Sequence, residues 1–313
     1  RPLKVKYGQM QYPKNQMEFE DWFSTEEKCR DYLISLKWSG GFVCDGCRGE
    51  TYWNKNRGRI VCRKCRREHY LLADTIFQSS HKPLHLWFRA MWWMLGQKNG
   101  VSALGLQSVL GLGSYRTAWL WLHKLRRAMV VPGRDLLSGS VEVDETFIGG
   151  EHSGKRGRGA EGKALVVVGA EVKGKVIGRI RLQVIPNARG DSLMGFITTH
   201  IEKGSSISTD GWTGYLGLKE AGYGHNIYKM SASVGEEIQL PNVHKIASLL
   251  KRWLMGTHQG GIQHKHLPYY LDEYTFRFNR RNSKSRGLLF FRLLEQAVTQ
   301  APSTFKEISG KTN

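Results

Sequence analysis

The sequence has no run of 18 apolar residues, no signal-peptide pattern, no internal repeat and no low-complexity tract. It is therefore expected neither to cross a membrane nor to be exported, and Arg1 in place of Met points to a trimmed N-terminus. Acidic residues are the scarcer charge: 27 Asp and Glu against 47 Lys and Arg leave a formal charge of +20 and a pI near 9.8. This imbalance disfavours an acidic small-molecule substrate and favours a polyanion, with nucleic acid ahead of a membrane surface. Cysteine is almost confined to two CxxC pairs, which hold four of the five residues. In a reducing compartment such pairs mean metal rather than disulfides, so a soluble cytoplasmic protein is expected. At 313 residues the chain has room for a buried core and for two or three modules.

Residues 1–20 are polar and expected to be poorly ordered. Ser24-Thr25-Glu26-Glu27 is a capping-box pattern, and Cys29, Tyr32, Leu33 and Leu36 follow at helical spacing. A short amphipathic helix is expected there, with Cys29 packed on its apolar stripe. Cys44 and Cys47, then Cys62 and Cys65, present four thiolates on two knuckles separated by fourteen residues. That is the donor set of one structural zinc ion in a zinc ribbon. Arg57, Arg59, Arg63, Lys64, Arg66 and Arg67 surround the knuckles, placed either to follow a phosphate backbone or to form a solvated rim.

Between Pro83 and Met129 the pattern is helical: Leu84 to Leu95, Val101 to Leu110, the turn Gly111-Leu112-Gly113, and a helix capped by Ser114. Ala118, Leu122, Leu125 and Met129 share the inner stripe of the last helix, leaving Arg116, Thr117, His123, Lys124, Arg126 and Arg127 for its surface. The pattern suggests a helix-turn-helix whose second helix enters a major groove, although any three-helix bundle can present it.

Beyond a linker at 131–140 the composition changes. In VEVDETFIGG, 141 to 150, strand alternation puts Val141, Val143, Glu145 and Phe147 on one face and Glu142, Asp144, Thr146 and Ile148 on the other. Asp144 thus sits mid-strand among apolar residues, where an ionised carboxylate calls for a cation, and a metal ion is the natural candidate. A Gly-rich loop with Lys155, Arg156, Arg158 and Lys163 lacks Walker spacing. Apolar runs at 164–172 and 175–185 complete three consecutive antiparallel strands, Asp191 caps a helix through Ile201, and a strand from Ser205 ends at Asp210-Gly211. A helix from Pro241 to Gly256 aligns His244 with Lys251 two turns on, and a last helix from about His264 to Arg281 carries Arg277, Arg280 and Arg281.

The CxxC pairs, VEVDETFIGG, STDGWTGY, HKIASLLKRWLMGTH and LDEYTFRFNRR, in this order over about residues 20 to 298, resemble the DDE-type transposases of bacterial insertion sequences that carry an ISXO2-like catalytic domain behind a zinc ribbon. The resemblance implies an RNase H-like α/β catalytic domain with a mixed sheet, the first carboxylate at Asp144 on the first strand and the second at Asp210 on the fourth. At the third position, often Glu in this family, stands His244, seven residues before Lys251 and 34 after Asp210. Some relatives carry His or Asn there. The implied site is Asp144, Asp210 and His244 around two Mg²⁺ or Mn²⁺ ions, with Lys251 on a nearby phosphate; Glu236 or Glu237 is the alternative third ligand. Imidazole in place of carboxylate removes one negative charge and favours Mn²⁺ over Mg²⁺.

The expected whole is a multidomain α+β protein: an N-terminal segment with an amphipathic helix (1–39), zinc ribbon (40–74), helix-turn-helix-like DNA-binding domain (75–130), linker (131–140), RNase H-like catalytic domain (141–298) and tail (299–313). The resemblance implies a transposase that binds terminal inverted repeats, hydrolyses DNA at the element ends and joins the 3′-OH ends to target DNA. Double-stranded DNA would be contacted by Arg63, Lys64, Arg66, Arg116, Lys124, Lys155, Arg156, Arg158, Arg252, Arg280 and Arg281. Pairing two ends calls for a homodimer or higher assembly, nucleoid-associated, with no membrane or small-molecule partner. The rivals are a catalytically inactive, transposase-derived DNA-binding regulator and a junction-resolving nuclease of the same fold.

Overall fold

Capping residues and strand alternation set most of the element boundaries. The structure, a computed structural model, describes residues 11–55, 58–131, 133–149, 163–228, 240–259, 261–283 and 285–310. Two compact units divide the chain: Arg1–Val131 with Ser283–Asn313, and Pro132–Asn282. Lys155, Arg156 and Arg158, with Arg57, Glu236 and Glu237, lie outside the described residues.

In the first unit, α1 (Gln16–Trp22) occupies part of the stretch expected to be poorly ordered. Asn15 caps it, and Phe19 is buried, stacked on Trp92 at 4.5 Å. The expected amphipathic helix is α2 (Glu26–Lys37), where the Thr25 side chain accepts from the Lys28 N–H and Cys29 is buried. Strands β1 (Tyr52–Lys55), β2 (Arg59–Cys62) and β3 (Glu68–Tyr70) form an antiparallel sheet in that order. Helices α3 (Leu84–Gly96), α4 (Ala103–Leu110) and α5 (Tyr115–Ala128) follow, with Gly111 in the left-handed region (φ 60°) between the last two.

The surface expected of α5 needs correction. His123, Lys124 and Arg126 are all buried. Trp121 stacks on Trp87 at 3.9 Å, the Lys124 ammonium donates to the Ile76 carbonyl, and the Arg126 guanidinium donates to the Val101 carbonyl. These cations hold the unit together, so α5 offers no continuous basic face, and Lys124 is not free for DNA.

The second unit centres on a five-stranded sheet ordered β6-β5-β4-β7-β8, numbered β4 (Ser140–Ile148), β5 (Ala164–Lys173), β6 (Val176–Ile185), β7 (Ser206–Thr209) and β8 (Gly224–Ile227). The first three are antiparallel, as expected; β7 pairs in parallel with β4, and β8 in parallel with β7. One face packs Val166, Val168, Ile180 and Leu182 against α7 (Pro241–His258) and α8 (Leu267–Asn279). The other packs Val141, Val143 and Val167 against α6 (Gly190–His200) and the 3-10 turn Thr213–Leu218. The two faces of β4 therefore divide as its alternation dictates. Arg189, not Asp191, takes the N-cap position of α6; Asp191 sits in the first turn and accepts from the Ser192 N–H.

The expected catalytic boundary at 298 also shifts. Helix α9 (Arg286–Ala297) belongs to the first unit because Phe290 is buried there among Phe19, Phe23, Phe88 and Trp92. A short helix, α10 (Phe305–Ser309), follows in what was expected to be a tail.

Candidate active site

Asp144 projects from β4 toward α7. Its Oδ1 accepts the Glu145 N–H at 2.8 Å, and its Oδ2 lies 3.1 Å from His244 Nε2. Burial pushes the Asp144 carboxyl above its ordinary value; the Glu145 N–H and His244 oppose that shift, and the charge of Asp210 adds to it. An approaching cation would reverse both raising effects.

Asp210 directly follows β7, whose register pairs Glu142 with Ser208. Two residues further along parallel strands, Asp144 and Asp210 stand side by side on one face. A tight turn fixes the Asp210 carboxylate: Oδ1 accepts the Trp212 N–H at 3.0 Å, and Gly211 takes a left-handed φ of 82°. The Trp212 indole N–H donates to the Ala188 carbonyl at 2.7 Å, and the Gly211 N–H donates to Thr209 Oγ1, itself 2.9 Å from His225 Nε2.

What delivers His244 to Asp144 is Glu142, which the sequence reading left without a role. Its buried carboxylate accepts the Asn242 and Val243 backbone N–H groups at 2.9 and 3.0 Å and the Asn242 amide at 2.6 Å. The first turn of α7 has Pro241 and no acid of its own, so an acid from β4 satisfies its free donors and complements its dipole. Glu142 shares a strand face with Asp144; that pairing was the available signal. On the opposite face the buried Tyr215 hydroxyl donates to Glu145 at 2.8 Å, and burial followed by the Glu145 charge holds its pKa well above the ordinary value.

Asp144 and His244 are thus in contact, while Asp210 is not gathered with them as closely as the four cysteines are with one another. The donor set nevertheless fits divalent ions: two carboxylates from neighbouring strands suit Mg²⁺ or Mn²⁺, and an imidazole suits Mn²⁺. Lys251 is exposed on α7 two turns beyond His244.

Cys44, Cys47, Cys62 and Cys65 cluster with their sulfurs within 4.8 Å of one another, at 3.6 Å for Cys44–Cys65 and 3.5 Å for Cys47–Cys62. Tetrahedral Zn–S bonds of about 2.3 Å require S···S separations of about 3.8 Å, so the cluster fits zinc. N–H groups of Cys65 and Lys64 lower the Cys62 thiol to about 7. Cys47, although the Gly49 N–H acts to lower it, is pushed up to about 12 by its hydrogen bond to Cys65, by burial, and by its hydrogen bonds to Cys62 and Cys44. Four thiolates cannot coexist there without a cation. His69, which the sequence reading passed over, places Nε2 3.4 Å from Cys44 Sγ. Cys29 stays outside the cluster, its thiol raised to about 12 chiefly by burial.

Among the other expected DNA contacts, Arg63, Lys64, Arg66, Arg116 and Arg252 are exposed. Arg66 lies over the Trp53 ring at 4.8 Å and Arg116 over the Phe305 ring at 3.6 Å. Arg280 lies over Phe276, and Arg281 donates to the carbonyls of Ile177, Gly178 and Phe278, so both serve the fold.

Residues 136–279 match the ISXO2-like transposase domain, and residues 24–68 match the transposase zinc-ribbon domain. The chain thus carries a transposase zinc-ribbon domain followed by an ISXO2-like transposase domain. A relative from Halobacterium salinarum, described as an uncharacterized protein in transposable element ISH50, is 26% identical over 271 residues, covering 79% of this chain and 89% of the relative. The transposase-domain match encloses β4, β7 and α7, and with them Asp144, Asp210 and His244. No helix among the described residues is long and apolar enough to cross a membrane.

Proposed function

We propose that the chain binds the terminal inverted repeats of an insertion sequence, hydrolyses a phosphodiester at each end and joins the freed 3′-OH to target DNA, using Asp144, Asp210 and His244. The observation that carries this reading is the side-by-side placement of Asp144 and Asp210 on parallel strands, with His244 3.1 Å from Asp144. The strand order, three antiparallel strands followed by two parallel to the first, supports an RNase H-like fold. Divalent ions, when bound, supply Lewis acidity to the scissile phosphate and lower the pKa of the attacking hydroxyl.

The chain itself supplies position and charge. Asp144 from the middle of β4 and Asp210 from the residue after β7 would hold the ions, His244 orients Asp144 and would complete the donor set, and Glu142 fixes α7 so that His244 stays in reach. Lys251 neutralises a phosphate near the cut. The zinc ribbon, with Arg63, Lys64 and Arg66, and the α4–α5 pair, read as a helix-turn-helix contacting DNA through Arg116, hold the inverted repeat. Two copies pair the two ends, in the cytoplasm and on the nucleoid.

The inactive-regulator reading draws on one observation, the His244–Asp144 hydrogen bond, which occupies a carboxylate oxygen that an ion would use. Duplexes carrying the inverted repeats that flank the gene separate the two readings. Asp144→Asn and Asp210→Asn should bind them like the wild type and lose cleavage; full cleavage by either variant contradicts the site.

A further inference from the structure

Beyond Asp144, toward the end of β4, a cavity of about 270 Å³ opens between the strand and α7. The Phe147–Gly149 end of β4 forms one wall, with the Ile148 side chain on the α7 face, Leu254 and Ile262 add apolar walls, and Met255 stands at its side, 59% exposed. Lys163 and Lys251 complete the lining. A surface that only tracks a phosphate backbone needs cations and no apolar hollow. A fully stacked duplex has nothing of this shape to put into it.

Resting on the transposase reading, we infer that this cavity receives a single unstacked nucleobase next to the cleavage site, its flanking phosphates lying against Lys163 and Lys251. An apolar hollow with cations beside it is chemistry that accepts a flat base between apolar side chains together with its anionic backbone. Helix α7 runs alongside β4, with Asn242 and Val243 at Glu142, His244 at Asp144, and Lys251 and Leu254 at the Phe147–Gly149 end. Four strand residues, about 13 Å, therefore separate Asp144 from the cavity. At about 3.4 Å per base step that places the base within roughly four steps of the cut. Opening the helix there would free the scissile strand for in-line attack, and a base in this cavity would hold it open.

The test uses the full-length Asp144→Asn protein, which binds without cutting, and inverted-repeat duplexes with 2-aminopurine placed singly at each of the four positions on either side of the cut. Fluorescence is expected to rise several-fold at one of them on binding. The rise should disappear when Ile262→Trp or Met255→Trp fills the cavity, while anisotropy still reports binding. Met255 is largely exposed, so its variant keeps the core intact. A flat response at every position in a bound complex, or a rise that survives both filling variants, overturns the inference. Wild-type cleavage of the same duplexes distinguishes the failures: cutting with a flat response removes the base pocket and leaves the transposase reading, whereas binding without cutting removes the transposase reading itself.

Discussion

Asp144 is held in an environment that disfavours its charge, and two predictions follow from the sign of that effect. Its pKa in the folded chain lies above the ordinary value of 3.8, chiefly through burial, so ionising it costs folding free energy once the pH passes that value. Metal-free Asp144→Asn should therefore melt above the wild type at neutral pH, with the difference vanishing below about pH 3.8; thermal melts across pH in a chelator check this. His244 lowers the Asp144 pKa, so His244→Ala should move the acid limb of Mn²⁺ binding to higher pH, measured by titration calorimetry. Glu142 makes the opposite kind of contribution. Glu142→Gln retains shape but loses the charge that caps α7, which should cost about 1–2 kcal/mol of stability. It should also slow cleavage more than it weakens DNA binding, because its effect on the site runs through the position of His244.

At the scale of elements, much of this was legible in the sequence, and the exceptions have physical causes. Period-two alternation fixed which face of β4 carries Asp144, and the amphipathic helix α2 and the buried stripe of α5 were read correctly, although α2 is capped by Thr25 alone and not by a capping box begun at Ser24. The four zinc-ribbon cysteines were legible because metal spacing is local in sequence. Glu142 was not, because its partners lie a hundred residues away, and Lys124 was misread because helical periodicity cannot show that both sides of α5 are covered. Helix α9 was missed for the same reason: Phe290 finds its aromatic partners only in the folded first unit. The same packing favours Gly287, since a Cβ there would run into the Pro13 carbonyl oxygen. Gly287→Ala should destabilise the first unit by about 1–3 kcal/mol, seen as a lower denaturation midpoint. Cys62→Ser should release the zinc, unfold the ribbon and weaken binding to the inverted repeat; unchanged zinc content would contradict the four-thiolate site.

For the whole molecule, the formal charge of +20 makes the proposed DNA binding a salt-sensitive one. Affinity should fall steeply with salt, with a log–log slope near −0.9 for each duplex phosphate neutralised, and Arg63→Ala or Lys64→Ala should each make that slope shallower by about one unit. Lys124→Ala should leave the slope unchanged, because its ammonium is spent on Ile76, and should lower stability instead.

The measurement that bears most directly on the account is product analysis of labelled inverted-repeat duplexes incubated with the full-length protein and a target duplex, in Mg²⁺ and in Mn²⁺. The account predicts cleaved ends and end-to-target joined strands, more abundant in Mn²⁺ because His244 replaces a carboxylate, and none of either with Asp144→Asn. Tight binding with no cleavage in either metal would contradict it and leave a DNA-binding regulator built on a transposase frame.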